Sequence, residues 1–170
     1  MPAFAALLRA VNVGGTGKLP MSELRSLCSE LGFGNVRTYI QSGNLVLDSD
    51  LDADGVKGLL ERALEERMGK PVQVFIRTPE ELDEVLRCNP YTDAAPNRVL
   101  VLFLDRPVPA GTVEAVDAPG GEQLTSGDRE IYLFFPDGQG RSKLKVPMAG
   151  EGTARNLNTV RKLVEMCRAG

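Results

Sequence analysis

The sequence predicts an α+β protein made of two ferredoxin-like subdomains, of the β-α-β-β-α-β type, packed in tandem. Three observations carry that expectation: apolar runs of strand length alternate with segments of helical period, a hairpin signal falls between the first two helices, and the second half follows nearly the same order. Residues 4–13 form an apolar run suited to a buried strand, and Gly14-Gly15-Thr16-Gly17 breaks it. Pro20 fits the first turn of a helix, where a missing N–H leaves no bond unmade. Met21, Leu24, Leu27, Cys28 and Leu31 then recur at helical spacing until Gly32 stops the helix. Val36 to Gln41, a turn at Ser42-Gly43-Asn44 and Leu45 to Leu47 read as a β-hairpin. A second helix follows from Val56, Leu59, Leu60, Ala63, Leu64 and Met68, with Gly69 behind it, and Val72 to Arg77 is the next strand.

Thr78-Pro79-Glu80-Glu81 opens a third helix as a capping box: the Thr78 hydroxyl caps while Glu81 reaches back to the Thr78 N–H. That helix runs to Arg87 and yields before Asn89-Pro90. Arg98 to Leu104 and Glu130 to Phe135 are strands, whereas residues 105–129, rich in Pro, Gly and Asp, promise turns and a short helix. The last helix is expected over residues 154–168, with Thr153 as its cap, Asn156 in its first turn, and Leu157, Val160, Leu163, Val164 and Cys167 on its inner face. Counting residues 72–77 again, the second half reads β-α-β-β-α, and the boundary is expected between 78 and 79, giving subdomains 1–78 and 79–170.

With 42 % hydrophobic residues in 170, the chain can bury a real core, and a 25 % charged fraction argues against disorder. No apolar run approaches the roughly 20 residues of a membrane helix. Arg9 interrupts the apolar start and no basic residue precedes it, so an export signal is not expected and the cytoplasm is the expected compartment. The absence of histidine excludes His-based triads and removes the commonest zinc ligand. No CxxC pair occurs, so neither a metal site nor a cofactor is expected, and the three cysteines read as packing residues. The net charge of −3 hides an asymmetry: residues 48–66 carry seven acids and two bases, residues 141–170 seven bases and two acids. A basic C-terminal stretch in an acidic chain is either a solvated face or an anion-binding surface.

Gly15-Thr16-Gly17-Lys18 invites comparison with the phosphate-cradling loop G-x-x-x-x-G-K-[ST]. Asn12 stands where that loop needs its first glycine and Leu19 where it needs a hydroxyl for magnesium, so it is not one. A weaker role survives: N–H groups at a glycine-rich helix start, with Lys18, can hold an anion. The competing explanation is a tight turn needing positive φ.

LLRAVNVGG (7–15), LPMSELR (19–25), RTYIQSGNLVLDS (37–49), GRSKL (140–144) and GTARNLNTVRKL (152–163) together resemble the signature of the bacterial domain of unknown function 1697 family. The resemblance implies a compact α+β fold and no established activity. Ala10 replaces a usual glycine and Leu157 a frequent tryptophan. The polar residues within these strings are the candidate anion-binding set: Arg9, Asn12, Gly14, Gly15, Lys18, Tyr39, Gln41, Ser42, Asn44, Arg141, Lys143, Arg155 and Asn156. Singly, each has a plain explanation in a turn or a cap. Jointly, Arg9, Lys18, Arg141 and Arg155 would form a donor pocket for phosphate or carboxylate if the fold gathered them.

Three functions compete. The first is a module binding a small anionic ligand or nucleotide; nucleic acid is a weaker partner, because aromatics are only 5 % and there is no tryptophan to stack bases. The second is a metal-independent transferase or hydrolase of a phosphorylated substrate, its chemistry resting on Lys18 or Lys143, Tyr39, Ser42 and a carboxylate. The third is a structural or interaction protein without ligand. Whether a reaction is catalysed, and the oligomeric state, stay open at this level.

Overall fold

The computed structural model describes residues 1–12 and 18–169, so Gly14 and Gly15 lie outside the described residues. Among the described residues the chain forms two four-stranded antiparallel sheets and four α-helices, and no helix is long and apolar enough to cross a membrane. It divides into two compact units, one of Met1–Leu82 with Lys162–Gly170 and one of Asp83–Arg161.

The first unit runs β1 (Ala3–Leu8), α1 (Met21–Glu30), β2 (Gly34–Tyr39), β3 (Asn44–Asp48), α2 (Ala53–Met68) and β4 (Val74–Arg77), with sheet order β2-β3-β1-β4. Each helix therefore crosses between two strands that enclose a third. β1 is shorter than its apolar run because Ala10 and Asn12 adopt φ of +58° and +56°, which no strand accommodates. Phe4, Ala6, Leu8, Leu45, Leu47, Val74 and Ile76 share one sheet face and pack on Leu24, Cys28, Val56, Leu60 and Leu64 of the helices. The opposite face is buried as well, at Ala5, Leu7, Val46 and Phe75. Two buried faces explain why β1 and β3 read as unbroken apolar runs instead of alternating ones.

The outer edge of β4 is closed by side chains. Lys57 donates to the Val74 carbonyl, Glu61 Oε2 accepts the Val74 N–H at 2.9 Å, and Arg77 donates to the Ile76 carbonyl at 3.0 Å. An edge so occupied offers no template to another strand. Asp52 caps α2 through the Gly55 N–H, and Gly69, at φ +74°, ends it.

The second unit holds β5 (Val99–Phe103), β6 (Gln123–Ser126), β7 (Glu130–Phe134) and β8 (Thr153–Asn156), ordered β6-β7-β5-β8. Helix α3 (Pro79–Arg87) and helix α4 (Leu157–Ala169) each cross the division between units. The expected capping box of α3 is present: the Thr78 N–H donates to Glu81 Oε1 at 2.8 Å, and the Glu81 N–H to Thr78 Oγ1 at 3.1 Å.

Three sequence expectations are corrected here. The strand at 74–77 pairs with β1 alone and belongs only to the first sheet, while β6 and β8, both unforeseen, complete the second. Residues 154–156 are strand, not helix, because they pair with Leu100 to Leu102 of β5. Helix α4 therefore starts at Leu157, and its cap is Asn156, whose Oδ1 accepts the Thr159 N–H at 2.9 Å, rather than Thr153.

Where a β-α-β-β-α-β unit has helical crossovers, the β5–β6 connection is made of turns and the β7–β8 connection carries two 3-10 turns, Gln139–Arg141 and Ala149–Glu151. Val108, Val113, Leu144, Val146 and Met148 from these connections cover Leu102, Leu104, Ile131, Leu133 and Phe135. On the other face Tyr132 donates its hydroxyl to the Val85 carbonyl at 2.8 Å, which satisfies a buried phenol.

Candidate functional site

Within the β7–β8 connection, residues 141–146 alternate between exposed and inward-facing side chains. Arg141, Lys143 and Lys145 are exposed, whereas Ser142, Leu144 and Val146 turn inward, the last two onto the core. An extended backbone projects successive side chains to opposite sides, so the basic string and the core cover are two edges of one strip. Ser142 fixes it: its hydroxyl donates to Glu122 Oε1 at 2.7 Å and accepts the Leu144 N–H at 3.1 Å.

Glu122 follows the turn Pro119-Gly120-Gly121 and is only 7 % exposed. A Cβ on Gly120 would lie 2.9 Å from Glu122 Oε2, so glycine is what lets the carboxylate sit there. The Ser142 hydroxyl, then the backbone N–H groups of Glu122 and Gly120, hold this carboxyl below its ordinary pKa, so it is ionised near neutrality. Its second oxygen is buried and has no hydrogen-bond partner among the described residues.

Arg98 ends the 3-10 turn Pro96–Arg98 just before β5 and is locked to the segment after β7 by the Phe135 N–H donating to the Arg98 carbonyl at 2.9 Å and by its guanidinium donating to the Pro136 carbonyl. Arg98, Arg141, Lys143, Glu122, Ser142 and Asp137 line a cleft of about 650 Å³. That volume is within the range of small-molecule sites. Three cations against two carboxylates leave the lining with one net positive charge.

The candidates in the first unit are not among the residues that line this cleft. Asn12 donates to the carbonyls of Leu19 and Gln41, both at 2.8 Å, and accepts the Leu19 N–H at 2.7 Å. Asn44, fully buried, donates to the Tyr39 carbonyl at 3.1 Å and to Ser42 Oγ at 3.0 Å. The Leu8 N–H donates to the Gly43 carbonyl at 2.9 Å. A Cβ on Gly43, whose φ is +84°, would meet Val11 at 2.7 Å. The structure thus does bring Asn12, Tyr39, Gln41, Ser42 and Asn44 together, as the clasp between the end of β1 and the β2–β3 turn. Lys18 is exposed. Arg9 joins Lys70 and Gln73 around a separate hollow of about 340 Å³.

Arg155 and Asn156 share β8. Arg155 pairs with Val101, and its guanidinium donates to Thr153 Oγ1 at 2.6 Å and to the Ala154 carbonyl at 2.9 Å. Burial pulls its pKa down to about 10, and it does not line the cleft. Arg141 and Lys143 are therefore the two expected residues that share the cleft. Arg98, Glu122 and Asp137 went unforeseen: Arg98 reads as a strand start, and an acid within a Pro-Gly turn carries no pattern.

Among the described residues no group of three or more His, Cys, Asp or Glu could hold a metal. Burial pushes the Cys28 thiol up to about 12 and the Cys167 thiol up to about 11, as packed cysteines behave. Cys88, expected to pack, is exposed at the end of α3 and donates to Glu84 Oε1 at 3.2 Å.

The family model for a protein of unknown function, DUF1697, matches residues 1–132. No curated protein matches the sequence. Among solved structures, that of a conserved bacterial protein, SP0830 from Streptococcus pneumoniae, is similar at 26 % identity and a TM-score of 0.79, over 97 % of this chain and 98 % of that one.

Proposed function

This chain belongs to the DUF1697 family of proteins of unknown function, and on that footing we propose that it binds a small ligand bearing a phosphate or carboxylate in the cleft of its second unit. One observation carries the reading: Arg98 from one segment and Arg141 and Lys143 from another line a single cleft of ligand size. Two of the three belong to the basic string that first suggested anion binding. Among the described residues the side chains of Arg141 and Lys143 have no acidic partner, so their charge is available to a ligand. A nucleic-acid platform has less support, since Tyr132 is buried and Phe134 is stacked on Tyr91 at 5.7 Å between centroids.

We read the architecture as two ferredoxin-like subdomains in tandem. The two sheets have the same strand order, and the last strand of each carries a buried arginine, Arg77 or Arg155, donating to the carbonyl of the residue before it.

The test is a thermal-shift panel of inorganic phosphate, nucleotides, sugar phosphates and dicarboxylates. A ligand at 100 times its Kd adds about 2.7 kcal/mol, which raises Tm by about 5–10 °C for a chain of this size. The double substitution R141A/K143A abolishes the shift. A flat response across the panel, or a shift that survives the double substitution, refutes the proposal.

A further inference from the structure

A site for a bare anion would hold cations alone, yet this one contains an ionised carboxylate. Glu122 lines the cleft, is more than nine-tenths buried, and leaves Oε2 without a hydrogen-bond partner. A buried acceptor of this kind calls for a donor, and its unmet demand is the larger because it is charged. Among the described residues no neighbour makes a hydrogen bond to Oε2: the N–H groups of Glu122 and Gly120 hold the carboxyl's pKa down, yet neither meets Oε2 in hydrogen-bond geometry. Ser142 has a single hydroxyl proton, already given to Oε1, and Arg98 is turned to the Pro136 carbonyl. A phosphate alone would leave Oε2 as it is and add repulsion between like charges.

We propose that the ligand of this cleft is a zwitterion, whose anionic group is held by Arg98, Arg141 and Lys143 and whose cationic, hydrogen-bond-donating group is read by Glu122. This rests on the anion-binding reading above and narrows it to a chemical class: an aminated phosphate or an amino-acid-like molecule. Ser142 assists, because its hydroxyl accepts the Leu144 N–H and keeps a second lone pair for the donor group. Asp137, the other carboxylate of the lining, strengthens the preference without defining it. Specificity of this form is a difference of affinities: the carboxylate gains with one ligand and is penalised with the other.

Calorimetric titration with two probes of matched size tests it: ethyl phosphate, and O-phosphoethanolamine, which adds one ammonium. O-phosphoethanolamine should bind about tenfold or more tightly, the increment of one charge-assisted hydrogen bond. Glu122→Gln should bring the two affinities within about twofold by removing the charge that discriminates, while ethyl phosphate still binds. If Glu122→Gln does not fold, Glu122→Asp takes its place: withdrawing the carboxylate by one methylene should shrink the preference. Equal binding of the probes by the native protein, or a preference unchanged in whichever variant is read, overturns the zwitterion proposal and leaves anion binding standing. No binding of either probe by the native protein overturns both.

Discussion

Asn12 uses its whole side-chain amide within the fold, with two donors and one acceptor engaged on Leu19 and Gln41. Replacing it with alanine leaves those three backbone groups unmet in a half-buried setting. The expected cost is about 2–3 kcal/mol, read as a lower urea midpoint with an unchanged slope, and phosphate binding in the other unit should not alter. That role was legible in sequence, since an asparagine in a turn most often serves turn backbone. So was Asn44, beside a glycine that only a positive φ explains. Glu122 was not legible, because its partner Ser142 lies 20 positions on and no local period connects them.

Elements with local signals came out as read. The capping box of α3 needs only four consecutive residues, and it formed in full. Thr78→Ala should cost about 1 kcal/mol, measured in denaturant, and Thr78→Ser should recover most of it because the hydroxyl returns. Strands β6 and β8 escaped sequence reading for a physical reason. Both are four-residue edge strands, Gln-Leu-Thr-Ser and Thr-Ala-Arg-Asn, whose pairing is decided by a distant partner and not by their own period. Taking β8 for the first turn of α4 also displaced the cap by three residues, from Asn156 to Thr153.

For the molecule as a whole, the first unit was nearly readable because its helices and strands alternate with clear periods. The second was not, because irregular connections stand where the first unit has crossover helices. The candidate site inherits that irregularity. Its basic string was visible, but the cleft depends on Arg98 and Glu122, which arrive from two other segments. In the strip from Arg141 to Val146 the exposed cations and the inward-facing residues, two of them on the core, are interleaved one by one. Inserting one glycine between Ser142 and Lys143 should turn Lys143 inward and Leu144 outward. Both the core cover and the anion-dependent thermal shift should then be lost, with stability falling on the order of 2–4 kcal/mol. Surface connections ordinarily tolerate changes of length. This one counts its residues as strictly as a strand does: a change of length by an odd number exchanges the side chains that meet the core for those that meet water.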